Sequence, residues 1–237
     1  MHIGVLLTGH VAGSLIPTYG DYDAMFESFL GGRGFTFSSY PVVDMVFPEG
    51  PSAADGWLIT GSRHGVYEGH PWIAPLERLV RAAFIAGVPV VGICFGHQLV
   101  ARSCGARVEK FRGGWAVGRQ IYEFDGNVRL ALNAWHQDQV VSVPDGAEVI
   151  ARNPFCRIAA LAYGDRALTI QAHPEFHEPY LKDLIAVRGR GTVPDRLLDD
   201  ALDGLGQPVD SPALADRMAA FLIKSGQCHA GRNRKLI

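Results

Sequence analysis

The stretch Val90-Val91-Gly92-Ile93-Cys94-Phe95-Gly96-His97-Gln98 sets the strongest constraint on what this chain can fold into. It opens as an apolar run of strand length, crosses a tight Gly-x-Cys-x-Gly turn and continues as a helix. A strand ending in such a turn lifts its central side chain to the top of a sheet. The turn also sets the next backbone N–H groups at a helix N-terminus, where an anion is favoured. A cysteine thiolate is favoured there for the same reason. The pattern equally suits a plain βα turn whose cysteine is a small buried hydrophobe. The local residues leave both readings open.

Strand-like and helix-like runs alternate through residue 105. Ile3–Leu7, Phe35–Tyr40, Trp57–Thr60 and Val88–Ile93 read as strands. Gly20–Leu30 carries Tyr22, Met25, Phe26 and Phe29 at helical spacing, with Asp21 or Asp23 near its start. Trp72–Ala86 carries Ile73, Leu76, Leu79, Val80, Ala83 and Phe84 on one stripe, and Gly87 closes it. His97–Cys104 is the helix after the turn, with Cys104 on its core side. This βαβ order predicts an α/β fold: a mostly parallel central sheet with helices on both faces. Ligands of such sheets gather beyond the carboxyl ends of the strands, where Gly61 and Cys94 both fall.

From residue 106 the runs shorten to Arg107–Phe111, Gly118–Phe124, Val128–Leu132, Val140–Val143, Glu148–Ala151, Ile158–Tyr163 and Leu168–Gln171. Turns such as Asp125-Gly126 and Asp145-Gly146 separate them, which predicts a small β-rich hairpin region. Helices return at Pro179–Val187, Pro194–Leu202 and Pro212–Lys224, a helical C-terminal extension over about 177–225. No repeat or linker divides the chain, so one domain over 1–237 is expected.

The bulk numbers exclude several classes. With 48% hydrophobic residues among 237, the chain can build a large core. A formal net charge of −2 gives no field that would favour nucleic acid or an anionic membrane. The basic run Arg232-Asn233-Arg234-Lys235 reads as a frayed, solvated tail. The N-terminus lacks the basic start and long apolar core of a signal peptide, and no apolar run approaches bilayer-spanning length. The four scattered cysteines are then expected as reduced thiols in a cytoplasmic protein.

A thiol nucleophile needs a base for its proton, and the base needs an acceptor to fix its tautomer. His173-Pro174-Glu175, just after the Leu168–Gln171 strand, offers both. Thr60-Gly61-Ser62 follows the third strand. A backbone N–H from this loop, with that of Phe95, would make an oxyanion-stabilising pair; an ordinary βα turn reads the same. Asn133-Ala134-Trp135-His136-Gln137-Asp138-Gln139-Val140 is a dense polar cluster between strands. It suits a substrate wall in which Asp138 holds an amino group, or a solvated hairpin loop. Metal binding is not expected. His64 and His70 flank an Arg/Gly/Tyr/Glu loop, His173 and His177 are split by Pro174, and neither pair shows a matching acidic or thiol set. Gly31-Gly32-Arg33-Gly34 follows a helix, not a strand, and lacks the phosphate-loop pattern.

Taken together, Gly92-Ile93-Cys94-Phe95-Gly96-His97-Gln98 and His173-Pro174-Glu175 resemble the nucleophile and base motifs of the class I glutamine amidotransferases. The resemblance spans roughly residues 55–180. Gly113-Gly114-Trp115-Ala116-Val117-Gly118 and His136-Gln137-Asp138-Gln139-Val140 look most like the branch that holds the GMP synthase amidotransferase domain and free-standing γ-glutamyl peptidases. The resemblance implies a flavodoxin-like fold and no cofactor. It implies that Cys94 forms a γ-glutamyl thioester, His173 moves the proton and Glu175 orients it. Gly61 and Phe95 would supply the oxyanion donors, and Gln98 and Asp138 would hold the amino-acid end of the substrate, with His136 and Trp135 beside them. Two departures stand out: Thr60-Gly61-Ser62-Arg63 where many members have Gly-Gly-Pro, and Trp135 where synthetase-linked members carry a small polar residue. The first makes the contact beside the oxyanion donor differ; the second reshapes the pocket rim. The expected activity is hydrolysis of glutamine to glutamate and ammonia. The stretch after Glu175 leaves no room for a synthetase domain. Ammonia would pass to a separate synthetase, or the protein would hydrolyse γ-glutamyl compounds alone. The same fold could also serve as a silent regulatory module.

Overall fold

A computed structural model describes residues 1–233, with side chains through Gln227. Cys228 and the basic run over 232–235 lie outside the described side chains. The strands are β1 (His2–Leu6), β2 (Thr36–Tyr40), β3 (Gly56–Ile59), β4 (Val90–Ile93), β5 (Val108–Lys110), β6 (Ala116–Phe124), β7 (Val128–His136), β8 (Asp138–Val140), β9 (Glu148–Arg152), β10 (Ala160–Ala162) and β11 (Ala167–Ile170). The helices are α1 (Ile16–Tyr19), α2 (Tyr22–Phe29), α3 (Ile73–Ala86), α4 (Phe95–Ser103), α5 (Glu178–Leu184), α6 (Asp195–Asp203) and α7 (Ser211–Asn233). Short 3-10 and π-helical turns cover Val42–Asp44 and Ile185–Gly189.

Nine strands form one sheet in the order β2-β1-β3-β4-β11-β10-β9-β6-β7. The strands from β2 to β11 pair in parallel. The strands from β11 to β7 pair antiparallel. The hairpins read from the sequence are therefore a wing that prolongs the central sheet, with β5 and β8 alone forming a separate two-stranded ladder. Leu168–Gln171, which reads as part of the hairpin region, instead lies beside β4 as a parallel strand. Its apolar residues are all buried, as a strand covered on both faces requires.

Alternate residues of the parallel strands feed two cores. Ile3, Val5, Leu58 and Val91 join Met25 and Phe26 of α2 and Leu214, Met218 and Leu222 of α7. Leu6, Trp57, Ile59 and Val90 join Leu76 and Val80 of α3 and Leu99 and Val100 of α4. The period-2 and helical stripes thus meet as a layered α/β structure. Packing outweighs capping here. Trp72, at the start of α3, makes no side-chain cap. That omission costs about 1 kcal/mol. Burying Ile73, Leu76 and Val80 contributes about 1.5–3 kcal/mol each.

The 133–140 cluster is not a loop. Asn133–His136 complete β7 in register with β6, and Asp138–Val140 form β8. Asn133, His136 and Gln139 are buried. The sequence reading of a segment between strands fails because the partners that let polar side chains enter a buried strand lie far along the chain, as the Phe176 carbonyl does for Asn133 Nδ2.

Candidate active site

Cys94 stands at the β4–α4 junction with φ 52° and ψ −101°. A non-glycine residue held in such backbone costs about 1–3 kcal/mol and persists only where its surroundings over-determine it. Here its N–H donates to the Ile170 carbonyl at 2.8 Å, and its own carbonyl accepts from the Gln98 N–H at 3.1 Å. Gly96 lets the elbow close against β3, since a Cβ there would lie 2.4 Å from the Ile59 carbonyl oxygen. The thiol is buried at 5% exposure, yet it lines a cleft of about 530 Å³.

The parallel register brings distant residues to this thiol. Ile170 pairs with Ile93, so the chain leaves β11 level with Cys94. Gln171 donates from Nε2 to Cys94 Sγ at 3.5 Å. His173, one strand period further on, lines the same cleft as Cys94. Its Nδ1 lies 2.7 Å from Glu175 Oε1, with both side chains buried. Burial opposes charging of this imidazole. The charges of Cys94 and Glu175 and their hydrogen bonds outweigh it and raise its pKa.

The His173 turn is held from outside. Its N–H donates to the Asn133 carbonyl at 2.8 Å, and Asn133 Nδ2 donates to the Phe176 carbonyl at 2.8 Å. The Phe176 ring stacks on His173 with centroids 4.1 Å apart. Gly61 sits against the same imidazole, where a Cβ would lie 2.7 Å from Cε1. The Thr8 hydroxyl donates to the Gly61 carbonyl at 2.9 Å and fixes the loop. Phe95 begins α4, so its backbone N–H lies at the helix N-terminus beside Cys94, while its ring packs on Trp72.

The remaining expected residues all line the cleft. Gln98 is buried, and its Nε2 is engaged by Gln171 Oε1 at 3.1 Å and by the Asp138 carbonyl at 3.0 Å. Asp138 is half-buried; burial raises its carboxyl pKa, and a hydrogen bond from Tyr67 partly offsets this. His136 bonds the Asp138 carbonyl through Nδ1 at 3.2 Å, and its buried Nε2 has no protein partner among the described residues. Burial lowers its pKa to about 3, so it is neutral. Trp135 forms one wall, edge-to-face with Trp115. Arg188, Arg190 and Thr192, from the π-helical turn and the segment after it, close another side.

Sequence reasoning missed Gln171, the clamping role of Asn133, and the two arginines. Strand periodicity places Gln171 on the face of His173, a signal that could have found it. Nothing local marks the arginines as cleft-lining residues. The His64/His70 reading needs correction: Glu68 lies between the two, with hydrogen bonds to both. The pair His173 and His177 is not a ligand set, since His177 caps α5 by accepting the Tyr180 N–H at 3.3 Å. His97, inside the nucleophile motif, is a core residue bonded to Thr169 and the Ile158 carbonyl.

The family model for class I glutamine amidotransferases matches residues 48–184, more than half of the chain. The chain belongs to the class I glutamine amidotransferase family. Among relatives, it is 34% identical to gamma-glutamyl peptidase 4 of Arabidopsis thaliana over 185 residues, covering 71% of this chain and 73% of that one. It is 32% identical to the glutamine-hydrolyzing GMP synthase of Macrococcus caseolyticus over 138 residues, covering 55% of this chain and 26% of that one. The fold matches a glutamine amidotransferase of Methylobacillus flagellatus with a TM-score of 0.71 at 20% identity, over 97% of this chain and 94% of that one. The fold is that of the class I glutamine amidotransferases, and the family supports an enzyme acting on glutamine or γ-glutamyl amides.

Proposed function

We propose that this protein hydrolyses γ-glutamyl amide bonds through a thioester on Cys94. The observation that supports the reading is the buried His173–Glu175 pair, Nδ1 and Oε1 2.7 Å apart, in the cleft that Cys94 also lines. Cys94 Sγ attacks the γ-carbonyl carbon, and the thiol proton resides on His173. The carbonyl π pair moves to oxygen, and the resulting oxyanion meets the backbone N–H groups of Gly61 and Phe95. Each well-placed donor of this kind contributes about 3–4 kcal/mol. The tetrahedral adduct collapses as His173 protonates the departing nitrogen, leaving the thioester. His173 then takes a proton from water, hydroxide attacks the thioester, and glutamate leaves as Sγ is released. Glu175 keeps the proton-bearing nitrogen of His173 turned away from the thiol and stabilises the imidazolium.

The cleft favours a leaving group larger than ammonia. Its volume of about 530 Å³ lies within the range of drug-sized ligand sites. Trp115, Trp135 and Arg188 supply aromatic and cationic surface that a γ-amide of ammonia alone would leave unused. The likeness to gamma-glutamyl peptidase 4 over most of both chains agrees with this. Glutamine hydrolysis with transfer of ammonia to a separate synthetase is the second reading, favoured by the likeness to a glutamine-hydrolyzing GMP synthase. A screen of glutamine against γ-glutamyl dipeptides and thiol conjugates, following glutamate release, separates them. The expected kcat/KM is at least about tenfold higher for the peptides. A preference for glutamine overturns the leaving-group assignment, and no glutamate from any of them overturns the chemistry.

A further inference from the structure

The loop between β3 and α3 carries a cluster with no part in the relay. His64 Nδ1 lies 3.2 Å from Glu68 Oε2, and His70 Nε2 lies 2.7 Å from the same oxygen. One ligand atom from each of the three residues lies within 4.8 Å of the others. Two imidazoles thus converge on one carboxylate oxygen. The other oxygen, Oε1, accepts the Gly65 N–H at 3.0 Å, which fixes the carboxylate plane. The Trp72 ring lies parallel to His70 with centroids 6.0 Å apart and holds that imidazole in place. The side chains are 20%, 42% and 35% exposed for His64, Glu68 and His70, so an ion could enter from solvent.

We propose that His64, Glu68 and His70 form a binding site for a divalent transition-metal ion at the mouth of the active-site cleft. Tetrahedral zinc ligands stand about 2.0–2.2 Å from the ion and therefore about 3.3–3.6 Å from one another. The His64 separation of 3.2 Å already lies near that spacing, and the His70 separation of 2.7 Å opens by side-chain rotation as the ion seats. Two imidazoles and a carboxylate select zinc, cobalt or nickel over calcium or magnesium, which prefer all-oxygen shells. Three protein ligands leave a coordination position open. The Gly65 N–H bond to Glu68 Oε1 is an outer support of the kind a ligating carboxylate needs. Arg63, the adjacent cation, is exposed enough for water and salt to screen its charge. His64 and Glu68 also line the cleft, so an ion here stands in its wall, on the loop that begins with Gly61.

The test uses untagged, full-length protein carrying Cys94→Ser, which removes the competing thiol. Equilibrium dialysis against Zn2+ should give one ion per chain. Co2+ should give a visible ligand-field band that Zn2+ displaces. His64→Ala or His70→Ala in that background should weaken Zn2+ by more than about tenfold, since even supporting contacts to a metal ligand are worth about that much. Because a variant could perturb the loop, X-ray absorption on the Zn2+-loaded Cys94→Ser protein provides an independent count. It should report two imidazoles and no sulfur. Failure to hold one Zn2+ per chain, unchanged affinity in both histidine variants, or a sulfur ligand each overturns the site.

Discussion

Glu175→Gln isolates the electrostatic part of the relay. The glutamine keeps the shape of the glutamate, so it can still accept from His173 Nδ1 across the 2.7 Å contact. What it removes is charge, in a place where both side chains are shielded from water. A hydrogen bond to a charged partner is worth about 1.5–3 kcal/mol, against about 0.5–1.5 kcal/mol between neutral groups. The imidazolium formed during acylation therefore loses about 1–2 kcal/mol, which is about a 5- to 30-fold fall in kcat. Glu175 Oε2 has no protein partner in its buried pocket among the described residues. If the amide turns its NH2 group toward Nδ1, the imidazole takes the other tautomer, and the fall can reach about 10⁴, the scale seen when a serine-protease triad loses its carboxylate. KM should change little, because Glu175 does not line the cleft. The pH profile supplies a second readout. Glu175 helps raise the pKa of His173. Without its charge the imidazolium gives up its proton at lower pH, so the alkaline limb of kcat/KM moves down. Steady-state kinetics on folded variant, checked by circular dichroism, decides the matter. Unchanged kcat with an unmoved alkaline limb would show that the charge of Glu175 plays no part in the relay.

Trp135→Ala should raise KM for γ-glutamyl peptides about tenfold or more while changing glutamine turnover little; equal effects on both would remove Trp135 from the leaving-group wall. Gly96→Ala places a methyl carbon 2.4 Å from the Ile59 carbonyl oxygen and should destabilise the fold by about 1–3 kcal/mol in urea titration, despite the better helix propensity of alanine. Acid should destabilise the protein through His97 and His136, whose pKa values burial lowers to about 4 and about 3. The unfolded chain binds these protons from about pH 6.5 downward and the native state does not, so stability falls with pH. Each histidine contributes a loss of about 2 kcal/mol between pH 7 and 5. His173, with its raised pKa, has the opposite sign: its contribution is lost as pH rises, and it offsets about 1 kcal/mol of the acid effect. A urea midpoint that stays flat from pH 7 to 5 would contradict this balance.

The legible part of the sequence was the part governed by local rules. The helix stripe of α3, the capping Asp21 and the buried runs of β1, β3 and β4 are periodicity and punctuation, and the structure follows them closely. The elbow at Cys94 and the His173-x-Glu175 pair were legible because a turn and a short spacing carry their geometry. The polar stretch over 133–140 could be read as a substrate wall or as a hairpin loop, and its place in strands was not legible because partners such as the Phe176 carbonyl for Asn133 lie far along the chain. Gln171 and the His64–Glu68–His70 cluster share that cause. Their meaning comes from which strand lies beside β4, or how a loop folds back, and neither is encoded within a few residues of the side chain. Four-residue α1 was not foreseen, since one helical turn leaves no periodicity to read.

Every step of the proposed chemistry depends on Cys94 being the nucleophile. Incubating the protein with a thiol-directed glutamine analogue, then reading intact mass and peptide map, tests this without a partner or a known substrate. The thioester mechanism predicts one adduct per chain, on Cys94, forming in step with loss of activity and absent from Cys94→Ser. An adduct on Cys104, Cys156 or Cys228 with Cys94 unmodified, or loss of activity without any adduct on Cys94, would contradict it.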